Sequence, residues 1–396
     1  MEPSIQSDDF RQPQYQPVTS ANPASMVLTQ GAGSLVQTTD GRTLVDLELG
    51  FGAAFLGHSH PQVTAALQSQ AGQLLSCGRN ATSRSAQVDA LLAAMLPAGM
   101  RPGGLCSTGM EAAEFAMRIA ATHTGRSEFA GFARSMHGKS AMTAALCWAN
   151  APLRPNSLHV LPFVDDAGEA AILQSLAERL STGRVAAMFV EPIQGSNRAH
   201  EASIGFYEAV IHLCRQHGTL AVFDETLTGL HRTGPAFYVN RLSTAPDMML
   251  FAKSLGNGFP VASLALDARV RVRPEALPGS TFSANALALA AVEATLTAMA
   301  GVPLAARVAA METTVLAMRA ALQAAGATLR GRGALWCIEF DEPSRCRGVH
   351  AALRAAGVLV SCTDRAIRLV PAVTIEPALL EQVCQKIVHA CAVCTA

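Results

Sequence analysis

Charge is scarce in this chain. Only 15% of its residues are Asp, Glu, Lys or Arg, against 50% hydrophobic, an apolar balance for a globular protein. A large subunit interface would accommodate it, because obligate dimers bury surface that resembles a core. Excess of either sign is also lacking, with Lys plus Arg and Asp plus Glu at 30 each. Nothing therefore predicts a nucleic-acid or anionic-membrane partner. No uninterrupted apolar run reaches the ~18 residues of a membrane span. The Ala-rich run from Ala284 to Met311 carries Glu293 and Arg307, and reads as packed helices. The first 25 residues are polar, hold Pro3, Pro13, Pro17 and Pro23, and lack the apolar core of a signal peptide, which predicts a cytoplasmic protein. The ten cysteines lack a metal-like double pair. Cys391 and Cys394 form one CxxC with no second ligand pair, so no metal site is expected and reduced thiols are the simpler account.

What the sequence does have is a stretch from Thr219 to Pro260 that organises the rest. Two short apolar runs, Leu220 to Phe223 and Met248 to Ala252, each end on one charge, Asp224 and Lys253. Such runs, bounded by Gly and Pro, suit buried strands of a parallel sheet. A charge at the carboxyl end of a strand faces the crevice where α/β sheets place ligands. A lysine there is costly unless its charge is used or removed, and reaction with an aldehyde cofactor removes it. A carboxylate on a neighbouring strand end suits a pyridine cofactor, whose ring nitrogen it keeps protonated. For either residue alone, a structural ion pair at a sheet edge is the plainer reading.

The context alters that balance. Asp224-Glu225, Thr228-Gly229, Arg232-Thr233-Gly234, Pro246-Asp247, Ala252-Lys253 and Gly256 resemble, in order and in spacing, the central motif of the class III aminotransferases, pyridoxal-phosphate enzymes of fold type I. The resemblance implies an α/β fold. A large domain with a mostly parallel central sheet flanked by helices is expected over 56–285. A smaller α+β domain is expected from an N-terminal arm and hairpin (1–55) and a C-terminal segment (286–396). It also implies that Lys253 carries the cofactor as a Schiff base and that Asp224 partners the pyridine nitrogen.

Other elements follow along the chain. Leu35 to Thr38 and Thr43 to Leu47 flank Asp40-Gly41, the signature of a hairpin, after a loosely patterned arm to about residue 30. Gly57-His58-Ser59-His60-Pro61 matches a family element, and Pro61 at a helix start favours a structural role for its histidines over a metal. Cys106-Ser107-Thr108-Gly109-Met110-Glu111-Ala112 falls where the family grips the cofactor phosphate. A small-residue turn opening a helix can do so through backbone N–H groups, or can be an ordinary N-cap. Thr108, Gly109 and Met110 are the phosphate candidates. Thr281, in Gly279-Ser280-Thr281-Phe282, matches a threonine that reaches the phosphate of the other subunit, which implies a homodimer with shared sites. Arg368, in Arg368-Leu369-Val370-Pro371, matches an arginine that binds a substrate carboxylate, with Arg79 as the second candidate.

Several positions depart from the family. Met136 precedes His137-Gly138 where an aromatic ring usually stacks on the cofactor, and a thioether covers less area. Thr226 and Leu227 replace a usual Val-Gln; Thr226 can still pack on the ring, but Leu227 cannot donate a hydrogen bond. Ser196 stands where 4-aminobutyrate and ornithine aminotransferases carry a glutamate that pairs with the substrate arginine. His231 replaces a glycine and reads as a solvated loop residue. The resemblance implies an aminotransferase that moves an amino group between a small amino compound and a keto or aldehyde acceptor. An aminomutase or amino-acid epimerase of the same family is the alternative, favoured by Ser196, Leu227 and Ser283. A non-catalytic protein of this fold is the third reading, disfavoured by the presence of both Lys253 and Asp224.

Overall fold

The computed structural model describes residues 26–78, 80–148, 151 and 153–394. At its centre is a seven-stranded sheet, in the order Met100–Cys106, Ala262–Asp267, Met248–Phe251, Leu220–Asp224, Val185–Val190, Glu128–Phe132, Leu158–Leu161. Only Ala262–Asp267 runs against its neighbours; the remaining contacts are parallel. The apolar runs explain the placement. Every residue of Val185–Val190, Leu220–Asp224 and Met248–Phe251 is buried, because helices cover both faces of a parallel sheet. Burying one such Val, Leu or Phe side chain contributes about 1.5–3 kcal/mol. Asp247 locks the register at the strand start by accepting from the Ala221 N–H at 2.9 Å.

The helices begin where local chemistry says they should. Thr108 caps Gly109–Thr124 and forms a capping box with Glu111, whose Thr-x-x-Glu pattern is visible in the sequence. Pro61 opens the helix Pro61–Ala71, and His60 is its N-cap. The Ala-rich run becomes the helices Ala286–Ala300 and Leu304–Leu316. No single helix among the described residues is long and apolar enough to cross a membrane.

The expected hairpin is present as Leu35–Thr38 paired antiparallel with Thr43–Asp46. The strand Leu28–Ala32 adds to its edge, so the last residues of the expected arm are part of the sheet. On the other side, Val358–Leu359 pairs parallel with Val45 and Asp46, so the two ends of the chain share one sheet. A second C-terminal sheet has the order Ala327–Arg332, Leu335–Phe340, Ala366–Leu369, Ser361–Cys362. Arg232 ties these parts to the central sheet. Its guanidinium donates to the carbonyls of Gly52 (2.6 Å), Ala334 and Pro371 (both 3.4 Å) and lies 4.3 Å from the Phe55 ring. Burial, reinforced by Arg368, lowers its pKa to about 9.

Candidate active site

Three neighbouring strands of the central sheet end at one place. Leu220–Asp224 delivers Asp224, which is 3% exposed. Its Oδ2 lies 2.8 Å from His137 Nδ1 and its Oδ1 accepts from the Thr226 N–H at 3.0 Å. Burial would raise this carboxyl, but the His137 and Thr226 bonds outweigh it and hold the pKa below the ordinary aspartate value. Asp224 is therefore an ionised carboxylate in a dry place. His137 also rests against Phe189 (ring centroids 5.6 Å), which fixes its ring.

Met248–Phe251 delivers Lys253, which opens a short 3-10 turn at φ 44. A left-handed conformation at a residue with a Cβ costs ~1–3 kcal/mol, a strain that clusters at functional sites. Lys253 is half-buried and lines the cavity at these strand ends. Burial pulls the amine down to about 8, with Arg368 and Arg232 adding to the shift and Glu191 and Asp224 opposing it. The neutral, nucleophilic form is thus accessible near neutral pH.

Val185–Val190 leads to Glu191, which sequence reasoning did not place among the site residues. Its carboxylate accepts from the Met136 N–H at 2.8 Å and the Gly195 N–H at 3.0 Å. Burial first and Asp224 second raise its pKa. Glu191 holds the Met136–His137 turn against the sheet. The signal that could have found it is the one used for Asp224: an acid directly after a wholly apolar strand.

Around these ends, Thr108, Gly109, Met110, Met136, His137, Asp224, Thr226 and Lys253 all line a single cavity of about 330 Å³. The sequence-predicted phosphate and ring residues are therefore brought together. Their donors suit pyridoxal phosphate. The Glu111 carboxylate takes the Ser107 and Thr108 N–H groups (2.7 and 3.1 Å) and the Thr108 hydroxyl takes the Glu111 N–H. Gly109 and Met110 are first-turn residues whose N–H groups have no acceptor in their own helix. The Thr226 hydroxyl, on the same cavity, is buried with no hydrogen-bond partner among the described residues. A side chain at Gly109 would meet that hydroxyl at 3.2 Å, so glycine keeps the cradle open. An anion cradle, an ionised carboxylate and a depressed lysine together match a phosphate, a pyridine nitrogen and an aldehyde.

The other expected residues lie elsewhere. Thr281 is exposed and does not line this cavity. Arg79 lies outside the described residues. Arg368 is buried on Ala366–Leu369, donates to the Gly195 carbonyl at 3.1 Å, and sits 5.7 Å from the Phe51 ring. Its Nε has no partner, and no carboxylate among the described residues forms an ion pair with it. Leu227 is buried and packs on Gly195, where an added Cβ would fall 2.2 Å from it. Its substitution for glutamine is thus absorbed as packing. His231 is half-buried, with Nδ1 3.0 Å from the Gly234 carbonyl, a correction to the solvated reading: the turn folds its ring back onto the backbone. His58 pairs with Asp46 at 2.7 Å, as the structural reading of that element expects.

The comparisons with known proteins agree with this geometry. The family model for aminotransferase class-III matches residues 15–391. A [LysW]-aminoadipate semialdehyde transaminase of Deinococcus radiodurans is 31% identical over 91% of this chain and 85% of its own length. An acetylornithine aminotransferase of Methanosarcina mazei is 30% identical over 90% of each. Among solved structures, an ornithine aminotransferase of Toxoplasma gondii, described with pyridoxal phosphate at its active site, superposes with a TM-score of 0.85. It is 27% identical and the match covers 97% of this chain and 93% of that one. With strand-end Asp224 and Lys253 on the same cavity as the Thr108–Met110 turn, the chain belongs to the class-III aminotransferases, and is a pyridoxal-phosphate-dependent enzyme of amino-group transfer.

Proposed function

We propose that Lys253 is the residue that binds the cofactor covalently and that Asp224 partners its ring nitrogen, in transamination between a small amino acid and a keto or aldehyde acceptor. The observation that carries this is the meeting of Lys253 and Asp224 with the Thr108–Met110 turn on one cavity. Pyridoxal phosphate, when bound, supplies an aldehyde for the amine and an electron-withdrawing ring. The chain supplies the rest. The Gly109 and Met110 N–H groups and the dipole of their helix would hold the phosphate. Asp224, kept ionised by His137 and Thr226, would hold a proton on the ring nitrogen. Lys253 Nζ, once free, moves a proton as general base, for which a pKa of about 8 is well matched to neutral pH. Met136 and Thr226 line the cavity and would pack against the ring.

Arg368 gives the substrate class. A buried guanidinium with an unpartnered Nε is costly until a carboxylate reaches it, and its fork suits one bidentately. Arg368→Ala should therefore lower kcat/KM for glutamate and pyruvate by on the order of a hundredfold, equivalent to about 3 kcal/mol. Simple amines should lose only a few-fold. Equal losses for matched acids and amines would move carboxylate recognition to another group, Arg79 being the remaining candidate. The relatives are named for amino acids and their derivatives, in keeping with a substrate of this kind.

The active form is proposed to be a homodimer. Thr281 stays outside its own cavity, and apolar side chains stand exposed nearby in sequence and on the adjoining cleft, Phe282 at 65% and Leu75 at 56%. Mixing Lys253→Ala with Thr281→Ala protomers tests it. If Thr281 serves the partner's site, each mixed dimer holds one intact and one doubly damaged site, and activity rises above both parents. Mixed dimers, verified by mass spectrometry, that show no gain would place Thr281 outside the shared site.

A further inference from the structure

Among the ten free cysteines, one pair of sulfurs touches. Cys346 Sγ lies 3.4 Å from Cys362 Sγ, and no other two thiols make such a contact among the described residues. Cys346 is on the helix Pro343–Ala355 and faces inward with no exposed surface. Cys362 is on the short edge strand Ser361–Cys362 and is half-exposed. Both sulfurs also approach the Thr363 carbonyl, at 3.6 and 3.1 Å. Neither element contributes a residue to the lining of the cofactor cavity. Nothing in the amino-transfer chemistry uses the pair.

We infer that Cys346 and Cys362 form a redox-modification site, at which a hydroperoxide converts the two thiols into a disulfide joining helix to edge strand. The geometry supports it: the sulfurs need only close from the 3.4 Å contact to a bond of ~2.05 Å. The edge strand carrying Cys362 is two residues long and is bonded on one side only, to Ala366–Leu369. Such a strand can shift at little cost, because few backbone bonds hold it.

The division of labour follows from exposure. Cys362 is the sulfur a peroxide can reach. Its thiolate attacks a peroxide oxygen; an S–O bond forms as the O–O bond breaks, and the leaving hydroxide takes up a proton as water. Cys346 then attacks the oxidised sulfur, an S–S bond forms, the S–O bond breaks, and a second water leaves with the Cys346 proton. Two thiols lose two electrons and one hydrogen peroxide becomes two waters. Burial first, and then the neighbouring sulfur, keeps Cys346 as a protonated thiol far above its ordinary range, so it resolves rather than initiates.

The site lies one strand from Arg368. Ser361 is opposite Arg368 and Cys362 opposite Ile367 in the pairing of the two strands. The cross-link therefore fixes the outer strand of the sheet that carries the buried guanidinium.

The test uses the full-length holoenzyme treated with a small molar excess of hydrogen peroxide, then alkylated, digested and analysed by mass spectrometry. A peptide pair joining Cys346 to Cys362 is expected, lighter by two hydrogens and released by dithiothreitol, with the titratable thiols of the denatured chain falling by two. In Cys362→Ser, Cys346 should stay reduced under the same treatment, since peroxide has no route to it. Cys346→Ala should instead accumulate a sulfenic acid at Cys362, detected by dimedone labelling. Recovery of both residues as free thiols, or of Cys362 joined to a different cysteine, would overturn the inference. So would oxidation of Cys346 in Cys362→Ser at the wild-type rate, and circular dichroism of each variant separates these outcomes from unfolding.

Discussion

Lys253→Ala should abolish turnover, with kcat down by on the order of ten-thousand-fold or more, as expected when the nucleophile of a covalent mechanism is removed. The Lys253 side chain makes no hydrogen bond or ion pair among the described residues, and truncation removes an amine that burial disfavours in its charged form, so far-ultraviolet circular dichroism and the unfolding midpoint should stay near wild type. Borohydride reduction of the wild-type holoenzyme should fix the cofactor on the peptide containing Lys253, and reduction of the variant should fix none. The pH dependence carries the sign of the shift. Only the neutral amine attacks an aldehyde, and burial brings the pKa from 10.5 to about 8. The rate at which apoenzyme captures pyridoxal phosphate should climb to a plateau with a midpoint near pH 8. A rate still climbing at pH 10 would mean an unperturbed lysine. A variant that retains wild-type turnover would remove Lys253 from the chemistry altogether.

Asp224→Ala should be the next most damaging change, at about 2–4 kcal/mol in the reaction barrier, the range for losing a preorganised charge at a reacting centre. Two effects combine. The ring nitrogen loses the carboxylate that keeps it protonated, and His137 loses the partner 2.8 Å away that orients it. The charge matters most at the transition state, so kcat should fall far more than substrate KM rises. Because the His137 and Thr226 bonds hold Asp224 below the ordinary aspartate value, it stays ionised down through mildly acid pH. The ratio of wild-type to variant kcat should accordingly be flat from about pH 6 to 9, where an ordinary aspartate is already charged. A wild-type kcat in Asp224→Ala would exclude the carboxylate as ring partner. A ratio that collapses within that window would show that Asp224 titrates there.

Some of this enzyme is written locally. The apolar runs ending at Asp224 and Lys253, the Thr108-x-x-Glu111 capping box, Pro61 at a helix start and Asp40-Gly41 in a hairpin each depend on a few adjacent residues. Steric preference and nearby hydrogen bonds settle them before any long-range contact forms. The Asp224–Lys253 spacing, with the motifs between the two residues, carried the family resemblance that implied the chemistry; either charge alone read as a structural ion pair. The sheet order decided what local signals could not. Only the parallel alignment of Val185–Val190, Leu220–Asp224 and Met248–Phe251 makes Glu191 a neighbour of the other two strand ends and lets it hold the Met136 turn. Burial, which is a property of the assembled layers, brought the Lys253 amine to about 8 and left Arg368 with no ion-pair partner among the described residues. It also turned Leu227 from a missing donor into a packing residue on Gly195. Cys346 and Cys362 lie on a helix and a strand with no shared motif. Their sulfurs meet only because that helix packs on that edge of the sheet, and side-chain contacts between separate elements are fixed by tertiary packing, not by spacing along the chain.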